Sequence, residues 1–296
     1  MPFPPILRPR LAAITTVAAL MLALSACTPS SSTPASAPAS PSTSGAAAGM
    51  PSAHIHGLSV NGETGRVLLA THEGLYDMSK KPAVKIGPAN DLMGFAPAMD
   101  QGVFYASGHP GQGSSLPGLL GLIKTSDGGK TWEQLSRQNE SDFHALTTTK
   151  SGIVAFDGTL RTSIDGKTWK TVDAGFVPAV LAGNPYSDTV LATTQEGVQR
   201  SSDGGATWVR DKSAPLIQFA AFASAREAVG IAPDGTVYYS ADAGATWKQT
   251  GKVTGEIHAV AATEGTDGNP WIWAASATGL MVSTDGGTTF RPSDAD

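Results

Sequence analysis

Several histidines and carboxylates of this chain are spaced two residues apart, the spacing that places side chains on one side of a β-strand. The pairs are His54 and His56, Asp91 and Met93, Asp142 and His144, and Glu256 and His258. Imidazole nitrogens with carboxylate oxygens suit Zn²⁺ or Mn²⁺, whereas imidazole with a methionine thioether favours copper. The pairs therefore predict a metal site, provided that the fold brings them together.

A repeated motif indicates which elements could do so. Residues Ser126 to Trp132, Ser-Asp-Gly-Gly-Lys-Thr-Trp, are followed by four close copies. The aspartates of the five copies are Asp127, Asp165, Asp203, Asp242 and Asp285. Their spacing of about 40 residues is typical of a repeat architecture. Asp followed by Gly suits a tight turn, and the aromatic residue that ends the motif offers a large apolar surface to bury.

The motif resembles the Asp-box, or BNR, repeat. From about residue 51 onward the chain is similar to the β-propellers that carry this repeat, among them sialidases, sortilin-type receptor domains and a photosystem assembly factor. The resemblance implies an all-β, six-bladed β-propeller with five Asp-box hairpins, each a structural turn on the outer side of its blade. Residues 51–296 leave room for six units of about 40 residues.

Each unit is predicted to contain four short strands. In blade one these are Ile55 to Val60, Val67 to Ala70, Gly74 to Asp77 and Ala83 to Ile86, and this blade lacks the motif. The last blade is expected to contain four strands of its own. Whether a terminal strand is exchanged to close the ring stays open.

The first strands of the blades surround the axis of a propeller, so their equivalent positions face one another. Aligned on the small residue that follows, these positions are His56, Met93, His144, Pro178, Phe219 and His258. The positions two residues earlier are His54, Asp91, Asp142, Phe176, Ile217 and Glu256. His72 and His109 each follow the second strand of a blade. All six histidines are therefore predicted to lie at one end of the axis.

This alignment defines the predicted site. The predicted metal ligands, for Cu, Zn or Mn, are His54, His56, His72, His109, His144, His258 and Met93. The predicted carboxylate ligands, or hydrogen-bond partners of the imidazoles, are Asp91, Asp142, Glu256 and Glu73. The bound species is expected to be a metal ion or a metal-dependent ligand.

A closer resemblance suggests an alternative from the enzyme class. The segments His54-Ile-His56-Gly-Leu58, Thr71-His72-Glu-Gly-Leu75 and Ser107-Gly-His109-Pro110 look like bacterial envelope propellers labelled glycosyl hydrolase or sialidase-like. Sialidases of this kind clamp their substrate with three arginines, and no such clamp can be assembled here. Another glycoside hydrolase would need two carboxylates. A scaffold for envelope protein assembly is the third possibility.

The N-terminal stretch predicts export. Residues 1–26 combine Arg8 and Arg10, an apolar run and a small-residue ending that resembles a bacterial lipobox. Cys27, the single cysteine, is the predicted lipidation site. Residues 27–50 are rich in Ser, Thr, Pro and Ala, which predicts a disordered tether. The protein is thus expected at the cell membrane, lipid-anchored and facing outside the cytoplasm.

Composition excludes several other classes. The net charge is −5, with 20 basic and 25 acidic residues and no basic cluster, which argues against a nucleic-acid partner. The chain contains no Gly-rich phosphate loop, no CxxC pair and no Gly-x-Ser-x-Gly elbow. The sequence leaves open whether the ligand is a small molecule, a glycan or an envelope protein.

Overall fold

The computed structural model describes residues 50–293, and every regular element in that range is a β-strand. The predicted signal peptide, Cys27 and all of the predicted tether except Met50 lie outside the described residues. Among the described residues, no helix is long and apolar enough to span a membrane.

Within residues 50–293, twenty-four strands form six antiparallel sheets, each made of four consecutive strands. The strands of blade one are β1 (Ile55–Val60), β2 (Val67–Thr71), β3 (Gly74–Asp77) and β4 (Val84–Ile86). Those of blade two are β5 (Asp91–Pro97), β6 (Phe104–His109), β7 (Leu122–Thr125) and β8 (Glu133–Ser136). Those of blade three are β9 (Ala145–Thr149), β10 (Gly152–Phe156), β11 (Leu160–Ser163) and β12 (Lys170–Val172).

The second half of the ring has the same plan. The strands of blade four are β13 (Val180–Ala182), β14 (Val190–Thr194), β15 (Gly197–Ser201) and β16 (Val209–Arg210). Those of blade five are β17 (Phe219–Phe222), β18 (Ala228–Ile231), β19 (Thr236–Ser240) and β20 (Lys248–Lys252). Those of blade six are β21 (Ile257–Thr263), β22 (Trp271–Ser276), β23 (Gly279–Ser283) and β24 (Arg291–Pro292).

The first strands of the blades form the inner wall of a closed ring. Each of β1, β5, β9, β13, β17 and β21 contacts the next, and β21 returns to contact β1. This confirms the predicted all-β, six-bladed propeller. In residues 50–293 no sheet borrows a strand from another blade, so the ring closes by side-chain packing between blades one and six.

The hydrophobic core is divided among the junctions between blades. Six clusters of buried residues are present in the described part of the chain, one at each junction. At the closing junction, Ile55 and Leu69 of blade one pack with Trp273 and Leu280 of blade six. Each sheet therefore buries both of its faces against its neighbours, which explains the near-continuous apolar second strands such as β2 and β14.

The five motif aspartates lie in turns between the third and fourth strands of blades two to six, here named the Asp turns. In blade five, Asp242 accepts hydrogen bonds from the Ser240 hydroxyl at 2.8 Å, the Thr246 N–H at 2.8 Å and the Thr246 hydroxyl at 2.6 Å. The N–H of Gly244 donates to Ser240 Oγ at 2.8 Å. The Asp turns close the outer hairpins, far along each sheet from the axis.

Candidate functional site

The inner strands surround an axial cavity of about 200 Å³. At one end of the inner strands, its lining includes His56, Met93, His144, Ala179, Phe219 and His258. Five of these six are the residues aligned from the sequence; in blade four the lining residue is Ala179 rather than Pro178. Blades six, one, two and three thus contribute polar or thioether side chains, whereas blades four and five contribute apolar ones.

Buried residues between the polar ones explain this placement. Ile55 lies between His54 and His56, and its side chain is buried in the cluster at the closing junction. Because consecutive strand side chains point in opposite directions, the flanking imidazoles turn away from that cluster. Leu92, Phe143 and Ile257 occupy the same position in blades two, three and six, and all three are buried.

Three of the inner strands carry an irregularity at the residue that lines the cavity. The pairing of β1 with β2 shifts between Ile55 and Gly57, at His56. The pairing of β5 with β6 shifts at Met93, and that of β21 with β22 shifts at His258. An extra residue of this kind re-aims a side chain and is common beside binding sites.

Three imidazoles of blade one form a compact group. His54 directly precedes β1, and His56 is the second residue of that strand. His72 follows β2 directly across the hairpin, where its N–H donates to the His54 carbonyl. Their ligand nitrogens lie within 4.8 Å of one another. The ring centroids of His56 and His72 are 4.4 Å apart, and those of His54 and His56 are 4.9 Å apart. We name His54, His56 and His72 the imidazole group.

Asp91 of blade two faces this group. Its Oδ2 atom lies 2.8 Å from His72 Nδ1, and its Oδ1 atom lies 3.9 Å from His56 Nε2. Asp91 is placed by its pairing with His109 across β5 and β6. Gly108 permits this close pairing, because a Cβ there would approach the Asp91 carbonyl oxygen to 2.0 Å. Asp91 therefore links blade two to the imidazoles of blade one.

Asp142 of blade three forms a second carboxylate pair. Its Oδ2 atom lies 2.8 Å from His144 Nε2. His109 lies between the two carboxylates, with Nδ1 at 3.8 Å from Asp91 and Nε2 at 3.7 Å from Asp142. These two distances allow ion pairing but exceed those of a hydrogen bond. A series of alternating imidazoles and carboxylates therefore runs from blade one to blade three.

Three unpaired polar atoms lie at this end of the cavity. His56 Nε2, Asp91 Oδ1 and Asp142 Oδ1 are buried and have no hydrogen-bond partner. Burial and the neighbouring His72 imidazole lower the pKa of His56 from 6.5 to about 4. His56 is thus neutral at pH 7, with a ring nitrogen whose lone pair is available to a ligand or whose N–H is unpaired.

The remaining predicted residues are placed less centrally. His258 adjoins the imidazole group, with its ring 5.5 Å from that of His54. Met93 lines the cavity beside them. Glu73 and Glu256 are both exposed, and Glu73 accepts a hydrogen bond from the Tyr76 hydroxyl at 3.3 Å. Among the described residues, neither Glu73 nor Glu256 forms an ion pair with a histidine.

Two aligned positions belong to the core instead. Phe176 packs against Trp208, with ring centroids 5.3 Å apart, and Ile217 is 1% exposed in the cluster between blades four and five. A residue that the alignment missed is Asn90, which is 2% exposed and accepts a hydrogen bond from the Gly111 N–H. Asn90 holds the loop after His109, and its position next to Asp91 is the only sequence feature that points to it.

The chain matches no family model and no curated protein. Its fold is shared with many solved structures. A GH74 xyloglucanase from Xanthomonas campestris superposes with a TM-score of 0.57 at 14% identity, covering 81% of this chain and 38% of that one. The chain thus spans well under half of the xyloglucanase.

Two further structures match over most of both chains. YCF48 bound to D1 peptide superposes with a TM-score of 0.52 at 15% identity, covering 81% of each chain. The Cps50 (Swd1) β-propeller domain of Myceliophteria thermophila does so with a TM-score of 0.54 at 12% identity, covering 83% of this chain and 88% of that domain. At these identities the likeness establishes the propeller fold alone.

Proposed function

We propose that this protein is a metal-binding propeller whose imidazole group, His54, His56 and His72, holds a transition-metal ion at the mouth of the axial cavity. The observation that carries the proposal is His56 Nε2, a buried nitrogen without a partner beside two other imidazoles. Leaving such an atom unpaired costs about 1–3 kcal/mol, and a coordinated ion would remove that cost.

The protonation states favour coordination. Metal ions bind neutral imidazole, and the low pKa of His56 keeps that ring neutral at pH 7. Asp91 accepts the Nδ1–H of His72, which leaves Nε2 of His72 as the atom with the free lone pair. Ligand histidines commonly donate their second N–H to a carboxylate in this way.

The donor set narrows the choice of metal. Three imidazoles without a thiolate suit Zn²⁺ or Cu²⁺ better than Mn²⁺, which prefers oxygen ligands. Met93 lines the same cavity and would favour copper if its thioether also took part. Three protein ligands leave a coordination position for a small ligand or for a group of a partner molecule, as in open metal sites.

The wider proposal concerns family and location. We assign the chain to the Asp-box propellers on the hydrogen bonding of its Asp turns, and to the outer face of the cell membrane on its N-terminal sequence. Lipid attachment at Cys27 would hold the propeller near that membrane through residues 28–50. The metal site would then meet solutes or proteins outside the cytoplasm.

Glycoside hydrolysis is the second candidate function. It is favoured by Asp91 and Asp142, two carboxylates that face one imidazole, His109, from opposite ring nitrogens. The xyloglucanase among the similar structures is compatible with it, although no three-arginine clamp is found near the cavity in residues 50–293. The third candidate is a scaffold for envelope protein assembly, which the likeness to peptide-bound YCF48 over most of both chains permits.

Metal content tests the first proposal directly. Protein purified without a histidine tag is analysed by elemental mass spectrometry, and the metal-free form is titrated with ZnCl₂ and CuCl₂ by calorimetry. We expect one ion per chain. His56→Ala should weaken binding about 100-fold or more, because even the partners of ligand residues contribute about 10–100-fold.

His144→Ala is the matched control, since His144 lies on the same face but outside the imidazole group. Equal affinity of His56→Ala and native protein would contradict the proposed site. Hydrolysis of fluorogenic glycosides that is lost in Asp91→Asn and Asp142→Asn, in protein without bound metal, would favour the second candidate instead.

A further inference from the structure

Aromatic side chains fill the outer part of five of the six blade junctions. Each ring ends an Asp turn, immediately before the fourth strand of its blade, and packs into the cluster shared with the preceding blade. The five residues are Trp132, Trp169, Trp208, Trp247 and Phe290. The turn between the third and fourth strands of one blade thus supplies an aromatic ring to the junction with the preceding blade.

The sixth junction, between blades six and one, has no ring at this position, although Trp273 of β22 belongs to its cluster and Trp271 and Tyr76 pack against it. The corresponding turn of blade one spans residues 78–83, and the residue immediately before β4 is Ala83. Met78 of this turn packs against the closing cluster, and Met50 does so as well. A methyl group therefore stands where every other blade places an aromatic ring.

A groove of about 720 Å³ opens at this place. Its apolar lining includes Met50, Met78, Leu280 and Met281, next to Ala83 itself. Lys80 and Lys81 also line it and are exposed, and no carboxylate among residues 50–293 lines it. We name this the seam groove. It shares no lining residue with the axial cavity.

We propose that the seam groove binds an aromatic side chain from an acidic peptide segment of a partner protein. The five filled junctions indicate the shape of the occupant, because each equivalent space in this molecule holds one indole or phenyl ring. Three methionines suit such a guest, since flexible thioethers adapt to a ring and make favourable contacts with its edge. The two lysines suit carboxylates that flank the ring.

The segments of the chain that adjoin the groove residues in sequence contain no aromatic residue. Residues 28–49 and 294–296, which precede and follow the residues that line the groove, contain no Phe, Tyr or Trp. Residues 28–49 and 294–296 therefore do not supply the ring, and the proposed occupant belongs to another molecule. A second copy of the chain, through exposed Tyr186, and the acidic residues Asp294 and Asp296 are the competing occupants that the experiment separates.

The experiment measures binding of a fluorescein-labelled synthetic peptide with one tryptophan between two pairs of glutamates. Fluorescence anisotropy is recorded with the full-length protein, with or without bound metal. We expect saturable binding that is at least about tenfold weaker when alanine replaces the tryptophan of the peptide. Ala83→Trp should fill the groove, raise the melting temperature and weaken peptide binding at least about tenfold.

Val84→Trp is the matched control, because Val84 is the next residue along the chain and is 49% exposed. It should bind the peptide as the native protein does. If Ala83→Trp does not fold, the double variant Lys80→Glu, Lys81→Glu replaces it and should weaken binding to a similar extent. Binding that is unchanged in these groove variants overturns the proposal.

Two other outcomes also overturn it. Binding that becomes measurable only after Asp294→Asn and Asp296→Asn would mean that the C-terminal residues occupy the groove. Concentration-dependent dimerisation that Ala83→Trp abolishes, without any peptide binding by the native protein, would identify a second copy as the occupant.

Discussion

The aspartates of the Asp turns and those beside the axial cavity differ in how completely their carboxylates are hydrogen-bonded. Asp242 lies at the surface, yet its two carboxylate oxygens accept three hydrogen bonds from its own turn. These bonds, led by that from the Thr246 hydroxyl, lower the pKa of Asp242 to about 2. Asp91 faces imidazoles of other strands and Asp142 pairs with His144, and each retains one buried oxygen without a partner.

The difference separates residues that serve the fold from residues that can serve a ligand. In an Asp turn every acceptor is used within a few residues, so nothing remains for a bound molecule. At the axial cavity the polar atoms come from different blades and their hydrogen bonding is incomplete. A buried polar atom without a hydrogen-bond partner is costly. Such atoms therefore indicate a binding site in this molecule better than the fully hydrogen-bonded carboxylates of the Asp turns do.

The largest effect that tests this distinction is on metal affinity. Asp91→Asn should raise the dissociation constant for Zn²⁺ about 10–100-fold, because the carboxylate that orients His72 is lost. Asp142→Asn, whose carboxylate pairs with His144, should change it less than about threefold. Calorimetric titration of both variants measures this. Equal losses would mean that the two carboxylates share one function.

An intermediate effect is expected on stability at an Asp turn. Ser240→Ala removes a 1% exposed hydroxyl and leaves the buried Gly244 N–H without an acceptor. The free energy of unfolding should fall by about 1–3 kcal/mol, with metal affinity unchanged. Urea denaturation measures it, and Ser202→Ala, an exposed serine in the Asp turn of blade four, should stay within about 0.5 kcal/mol. A larger loss in Ser202→Ala would contradict the assignment.

The smallest effect is on the pH dependence of metal-free protein. His56 has a lowered pKa when folded, so below pH 6.5 the unfolded chain binds more protons, and stability falls from pH 6.5 down to about 4. After allowance for solvent screening this amounts to about 1–2 kcal/mol. The contribution of Asp242 is present above pH 3.8 and is lost as the pH falls towards 2.

The melting temperature measured between pH 8 and pH 2 should therefore decline in two separate windows. His56→Leu should abolish much of the decline in the upper window and leave the lower one in place. A decline above pH 4 that is identical in both proteins would show that other groups cause it.

The fold was predictable because its cues are local and repeated. Turn residues recur at a fixed period, and short apolar strands lie between them. The predicted strands Ile55 to Val60 and Gly74 to Asp77 have those bounds in the structure. The closure without strand exchange could not be predicted, since it depends on which ends of the chain pack together.

The site was less predictable, because its geometry depends on irregular backbone. The alignment located His56, Met93 and His258, but the shifts in strand pairing at these residues follow no sequence period. It also treated Phe176 and Ile217 as equivalents of His54, whereas both are packed between blades. Equivalent positions in a repeat share a place in the backbone but not the direction of the side chain.

Closure by packing alone has a mechanical consequence. Met50 and Ser293 both line the seam groove, so a force that pulls the two ends of the propeller apart acts on the junction whose third-to-fourth-strand turn supplies no aromatic ring. Blades one and six would separate there before any sheet loses its internal hydrogen bonds. A molecule bound across the groove would hold blades one and six together and so stabilise the closed propeller.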